Sequence, residues 1–162
     1  MAQTVHLKLE IDGNEVEGES TISSLEREGT IECSAFTYGL DTPRDEASGA
    51  LSGKRQHRPV TITKRIDKTT PLLLKAVCNN EPVTKAEFRF FRPELGAPGT
   101  EEHFYTVLLE NAYISSVGQE SRDAITGGKN APPMMEEVSL VFGRITWTYE
   151  IGGATHRDSW GR

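Results

Sequence analysis

His57-Arg-Pro-Val60-Thr-Ile62-Thr-Lys64-Arg-Ile66-Asp-Lys-Thr-Thr70-Pro71-Leu-Leu-Leu-Lys-Ala76-Val77 places a strand pattern and a helix pattern back to back. Val60, Ile62, Lys64 and Ile66 alternate with Thr61, Thr63 and Arg65, which predicts a strand with two distinct faces. Beyond Thr70 the period changes, and Leu72, Leu73, Ala76 and Val77 fall on one side of a helix. Thr70 is a capping residue, and Pro71 suits the first helical position, where its missing N–H has no partner to lose. Asn79 and Asn80 tolerate the left-handed turn that ends a helix. The spacing therefore predicts one short α-helix over 70–78, and its role is to cover a core rather than to carry a site.

Outward from this stretch the chain reads as strands. Val5, Leu7, Leu9 and Ile11 alternate against His6, Lys8 and Glu10 until Asp12-Gly13-Asn14 turns the chain. Residues 13–28 are polar and read as a loop. A strand follows from Thr30 to Leu40, with Ile31, Cys33, Ala35 and Thr37 assigned to one face and Ser34, Phe36 and Tyr38 to the other. Residues 41–58 form a long connection without strong secondary structure, acidic first (Asp41, Asp45, Glu46) and basic last (Lys54, Arg55, Arg58). Long loops of this kind inside a compact domain are usually functional or disordered, and a solvated excursion is the alternative reading of this one.

After the helix come a strand over 84–92, a turn over 93–99, and two strands of a meander over 102–110 and 112–118. A second long loop spans 119–135. Val138, Leu140 and Phe142 then mark one strand, and Ile145, Trp147 and Tyr149 the next. Gly152-Gly153 signals a hairpin that residues 154–160 close. The sum is an all-β barrel or sandwich of about eight strands with one flanking helix.

A chain of 162 residues fits one domain with a substantial core. Its formal net charge of −6 disfavours a nucleic-acid surface and attraction to an anionic membrane. Cys33 and Cys78 stand alone, without the spacing of a zinc site, and read as reduced and buried, with a single disulfide between them left open. The N-terminus has no secretory signal, and no stretch has transmembrane length.

Catalytic patterns fail one by one. His6, His57, His103 and His156 are scattered, and Glu101-Glu102-His103 lacks the second histidine of a zinc protease helix. No Gly-x-Ser-x-Gly elbow is present. Gly49-Ala-Leu-Ser-Gly53-Lys54 is one residue short of a phosphate loop and precedes a strand, not a helix. Glu136 and Glu137, adjacent on a strand, point to opposite faces and make no acid/base couple. Trp147 and Tyr149 offer an aromatic face, which leaves a small-ligand or glycan-binding β-barrel as the alternative to a structural protein.

Ile66-Asp-Lys-Thr-Thr-Pro-Leu-Leu-Leu-Lys-Ala-Val77 resembles the strand-to-helix signature of the haemolysin-coregulated protein family, the inner-tube proteins of bacterial type VI secretion systems. In the expected order, Gly53-Lys-Arg-Gln-His57-Arg-Pro59 resembles the basic stretch entering that strand. Glu87-Phe-Arg-Phe-Phe91 and His103-Phe-Tyr-Thr-Val-Leu-Leu-Glu-Asn111 resemble the strands after the helix. The segment from Glu136 to Tyr149 and Asp158-Ser-Trp160 resemble the closing strands, so the likeness covers nearly the whole chain.

The resemblance implies a single barrel domain over 1–162 that assembles into six-membered rings. These stack into a hollow tube, capped by a spike protein and expelled by a contractile sheath. It implies small effector proteins carried in the lumen, no cofactor, metal or catalysis, no nucleic-acid partner and no membrane insertion. Assembly is expected in the cytoplasm, with export lacking a cleavable signal peptide. Because the chain ends at Arg162, soon after Trp160, no fused effector domain is expected. Residues 119–135 match no pattern of the family. On this reading the 41–58 loop reaches an adjacent ring, with Arg44, Asp45, Glu46, Lys54 and Arg55 as stacking residues, and Ser34 and Thr37 are candidates for touching cargo. A phage tail tube protein would share the architecture.

Overall fold

The computed structural model describes residues 3–97, 99–122 and 125–161. Arg162 and parts of the expected turn at 93–99 and loop at 119–135 (Pro98, Asp123, Ala124) lie outside the described residues. In chain order the strands are β1 (Thr4–Ile11), β2 (Asn14–Val16), β3 (Ile31–Thr37), β4 (Leu40–Asp41), β5 (Gln56–His57) and β6 (Val60–Arg65). The helix α1 (Thr70–Cys78) follows, then β7 (Val83–Pro93), β8 (Glu101–Glu120), β9 (Met135–Tyr149) and β10 (Ala154–Ser159).

Hydrogen-bonded neighbours run β9-β6-β3-β1-β7-β8, and β8 pairs back onto β9, which closes a six-stranded barrel. β2 and β10 are added at its margins, and β4 and β5 pair with each other. Closure leaves no barrel edge to template aggregation. The interior is filled by alternate residues of the six barrel strands, among them Leu7, Leu9, Ile31, Ile62, Phe88, Leu109, Leu140 and Ile145, each no more than 2% exposed. α1 packs against β8, buries Leu73 and Ala76, and is followed by Asn79 as its C-cap and Asn80 at φ 49°.

Several sequence expectations are corrected here. The cap is Thr69, not Thr70, so Pro71 sits second in the helix, where its missing N–H is equally free of cost. The buried helix face is Leu73 and Ala76, whereas Leu72 and Val77 are 45% and 37% exposed. The supposed loop 13–28 contains β2 and a short 3-10 turn at Ser24–Glu26. Cys33 and Cys78 are both free, and Cys78 is exposed rather than buried.

The two expected meander strands are one continuous strand, β8, and the two later strands are the single β9. The expected breaks fall at Asn111 and Gly143. In the fold they lie at the same level of the β8–β9 ladder, between the pairs Glu110↔Arg144 and Ala112↔Phe142. Asn111 adopts a left-handed conformation (φ 52°), which asparagine tolerates. A side chain at Gly143 would meet its Cβ at 3.2 Å, so glycine leaves the room that lets both strands pass.

β3 carries a bulge, since Cys33 faces Lys64 while Ala35 faces Thr63. Two residues on one strand oppose one on the other, which flips the alternation. Ile31, Cys33, Phe36 and Tyr38 consequently turn toward the core, while Ser34, Ala35 and Thr37 are exposed. The strict alternation assigned from sequence, with Thr37 beside Cys33 and Ser34 beside Phe36, is thus overturned.

Candidate functional site

The connection between β3 and β6 is a built finger, not an irregular excursion. β4 and β5 pair Leu40 with His57 and Asp41 with Gln56, and Arg44 bridges Leu51 farther out. At the tip the Asp45 carboxylate accepts from Ala47 N (3.3 Å) and Ser48 Oγ (2.8 Å). Gly49 N donates to Asp45 O at 2.8 Å, with Gly49 at φ 73°. An Asx-type turn of this kind fixes the reversal locally. The Asp45 carboxyl is held below its usual range by these hydrogen bonds.

The base of the finger is clasped by the last strand. Asp158 on β10 accepts from Arg55 Nε (2.5 Å) and Nη2 (2.6 Å), and its Oδ2 also meets His57 Nε2 at 2.8 Å. The hydrogen bonds from Arg55 and His57 hold the Asp158 carboxyl well below the carboxylate range. An ionised carboxylate only accepts, so His57 donates from Nε2, and its Nδ1 meets the Tyr38 hydroxyl at 2.7 Å. Burial, helped by Asp158, pushes the Tyr38 phenol up to about 12, so it stays protonated. Around this triad the rings of Trp147 and Trp160 stack on His57 at 6.3 and 5.9 Å, and Phe142 meets it edge-on at 5.4 Å.

The five stacking candidates therefore divide. Arg55 is bound within the chain by Asp158, and Asp45 is spent on the tip turn. Arg44, Glu46 and Lys54 are exposed on the finger, and none of them makes an ion pair among the described residues. Arg58 pairs with Asp41 at 3.1 Å across the finger's base.

The two cargo candidates sit on the outward face of β3, within a band of small hydroxyls. Cross-strand register lines up Thr37, Thr61, Ser139 and Ser116 in one row over four strands, and Ala35, Thr63, Glu137 and Gly118 in the next. Their hydroxyls are occupied in place: Ser34 Oγ donates to Thr63 O (3.0 Å), and Thr61 Oγ1 meets Ser139 Oγ (2.9 Å). Ser115 Oγ donates to Ser139 O at 3.2 Å. The result is a band of small hydroxyls, with Ala35, Gly118 and the exposed Glu137 in its second row. Thr61 and Thr63 were visible as the outward face of β6; Ser115, Ser116 and Ser139 had no local signal, because only the ladder brings them alongside.

A buried polar knot ties the opposite end of β6. Lys64, 1% exposed, donates to Glu136 Oε2 (2.5 Å), Asp67 Oδ1 (2.9 Å) and Arg65 O (2.9 Å). Thr70 Oγ1 donates to the same Glu136 oxygen, and Asp67 accepts from Thr69 N. The knot joins β6, the start of α1 and the start of β9. It makes Glu136 and Glu137 structural opposites, one buried and one exposed, as the strand alternation predicts.

The aromatic face considered for ligand stacking is committed to the protein. Trp147 stacks with His57 and, at 5.9 Å and 1° between planes, with His156. Tyr149 receives a hydrogen bond from Arg92 at 3.1 Å. Among the described residues no group of three or more His, Cys, Asp or Glu is placed to hold a metal ion, and no helix is long and apolar enough to cross a membrane.

Comparison with known proteins agrees with this architecture. The profile of a family described as "Type VI secretion system effector, Hcp" matches residues 8–149. The "Major exported protein" of Pseudomonas aeruginosa is 35% identical over 145 residues, covering 88% of this chain and 83% of that protein. The solved structure of Hcp1 from E. coli EAEC 042 superposes with a TM-score of 0.83 at 33% identity, covering 98% and 99% of the two chains. Secreted protein Hcp3 of Pseudomonas aeruginosa superposes with a TM-score of 0.77 at 26% identity, covering 99% of this chain and 100% of that one.

Proposed function

The chain belongs to the Hcp family of type VI secretion proteins, and from that premise we propose that it is the structural subunit of a secretion tube. Six copies close into a ring, and rings stack into a hollow tube that a contractile sheath expels behind a spike protein. It assembles in the cytoplasm and leaves the cell as part of the tube. Its work is mechanical rather than catalytic.

The observation that carries this reading is the finger, held out from a closed barrel by the Asp158 clasp. A ligand-binding barrel has no need of such a projection, whereas a stacking subunit needs a rigid contact at one end. The wall of small hydroxyls that includes Ser34 and Thr37 supports its second part, the carriage of small effector proteins. A surface of small hydroxyls holds a folded cargo weakly enough to release it.

The test is the solution mass by size exclusion with light scattering, followed by electron microscopy. The expected result is a mass near six subunits and ring-shaped particles. A monomer across a wide concentration range would overturn the proposal.

A further inference from the structure

Thr4, His6, Lys8 and Glu10 alternate with the core residues of β1 and so point away from the barrel interior, yet His6 is fully buried. Its cover is the segment between β2 and β3, residues 17–30. Phe91 lies opposite Thr4 and Arg89 opposite His6, so both share this outward face of β1 and β7. Phe91 is 1% exposed without belonging to the barrel core. The segment and the two strands thus enclose a small second core outside the barrel.

Three ties hold the segment down. Thr30 Oγ1 meets His6 Nδ1 at 2.9 Å. The Arg27 guanidinium lies 4.5 Å over the Phe91 ring and pairs with Glu101 on β8. Glu26 reaches Arg89 at 3.9 Å. Arg27 also donates to Ser24 O (3.0 Å) and Ser24 Oγ (2.6 Å), across two successive left-handed residues, Leu25 (φ 55°) and Glu26 (φ 58°). Such a pair is uncommon outside glycine and persists only where its surroundings fix it. Gly18 N donates to Gly29 O (2.7 Å) and Ser20 N to Thr30 O (3.1 Å), which joins the ends of the segment. A Cβ at Gly18 would lie 2.3 Å from Thr30 O, so only glycine allows this crossing. A compact loop with joined ends moves as a unit.

The weak point of the enclosure is His6 Nε2, which is buried and has no hydrogen-bond partner. Charged and titratable groups face it from every side. Lys8 lies on its own strand, Glu32 opposite it on β3, and Arg89, held by Glu87, opposite it on β7. The segment contributes Arg27 and Glu26, and β8 contributes Glu101 and His103, whose ring packs on Phe91 at 5.1 Å. A proton on Nε2 would be a buried charge without an acceptor, close to the Arg27 guanidinium. Burial above all lowers the His6 pKa, with Glu32 opposing, Arg27 adding and Glu101 opposing.

We propose that residues 17–30 are an acid-released strap: a proton on His6 lifts the segment from β1 and β7 while the barrel stays closed, uncovering Phe91 and Arg89. The device belongs to the single chain and does not rest on the tube reading. The lifted state takes up the proton near the ordinary histidine value of about 6.5, and the closed state resists it. Release therefore grows about tenfold per pH unit below that value, until the closed state also binds the proton.

Hydrogen-exchange mass spectrometry of the whole chain at pH 7.5 and 5.5 tests this, read as protection factors so that the intrinsic pH dependence cancels. Residues 18–30 are expected to lose about tenfold in protection between the two, while β8 and β9 keep theirs. His6→Gln retains a side-chain donor but does not titrate, and its strap should be equally protected at both pH values. His6→Phe serves as the second non-titrating variant where the glutamine does not fold. Unchanged protection of residues 18–30 in the parent would overturn the proposal. An equal loss in the parent and a folded variant would also overturn it, by assigning the opening to other groups. Loss that extends to β8 and β9 would show the barrel unfolding rather than a strap lifting, and would overturn it too.

Discussion

Asp158 and Arg55 lie 103 residues apart in sequence and meet through two hydrogen bonds of 2.5 and 2.6 Å, so the last strand holds the base of the finger. Replacing Asp158 with alanine removes the acceptor of both Arg55 and His57. The β4–β5 amides should then exchange with solvent on the order of tenfold faster, as a local opening rather than global unfolding. Hydrogen-exchange mass spectrometry of residues 40–57 checks this, and unchanged protection there would contradict the clasp. The pH dependence has a definite sign. The Asp158 carboxyl is depressed in the fold, so its contribution is present above the unfolded value of about 3.9 and is lost as pH falls through the folded value.

Lys64 and Glu136 form a buried pair, 1% and 0% exposed in their side chains. Glu136→Leu alone leaves the Lys64 ammonium with only Asp67 and a backbone carbonyl, and should cost about 3–5 kcal/mol of stability. The double change Lys64→Met with Glu136→Leu should recover most of that loss, short by roughly 1 kcal/mol for the Thr70 hydroxyl that loses its acceptor. Urea unfolding of the three chains measures the difference. Equal losses in the single and double variants would show that packing, not charge, sets the cost.

His6 is fully buried beneath the 17–30 segment, against Phe91 at 5.6 Å. The Thr30 hydroxyl donates to Arg27 O at 2.6 Å and so accepts from His6 Nδ1 at 2.9 Å. Nε2 is left with no hydrogen-bond partner. Protonation would place a buried charge there, and burial accordingly lowers the His6 pKa, with Arg27 acting in the same direction and Glu32 and Glu101 opposing. The unfolded chain binds this proton more readily, so stability should fall as pH drops below about 6.5 and continue falling to the folded value. Thermal melting between roughly pH 5 and 8 should show this slope, and His6→Phe should flatten it. An equal slope in both proteins would assign the pH dependence to other groups.

Much of the barrel was legible because its signals are local. The alternation of Val60, Ile62 and Lys64 placed β6, whereas the burial of Lys64 against Glu136 emerged only in the fold. Gly152-Gly153 located the last hairpin at its observed position. The strand breaks expected at Asn111 and after Phe142 do not occur, because Asn111 and Gly143 meet at one level of the ladder, where glycine leaves room for the asparagine Cβ. The bulge at Ser34 was silent, since it is a property of the register with β6 rather than of β3 alone.

For the site the division is sharper. The sequence by itself determined the periods, the turns, the single helix and the presence of a charged 18-residue connection between two strands. It also carried enough ordered motif to suggest the family. The tertiary structure alone decided that the connection is a finger, that Asp158 takes Arg55 out of the exposed charge set, and that Ser34 and Thr37 face outward among hydroxyls from three other strands. The physical reason is range. Side-chain period and turn chemistry act over a few residues, whereas an ion pair, a bulge or a ladder row exists only once the closed barrel has brought distant segments together.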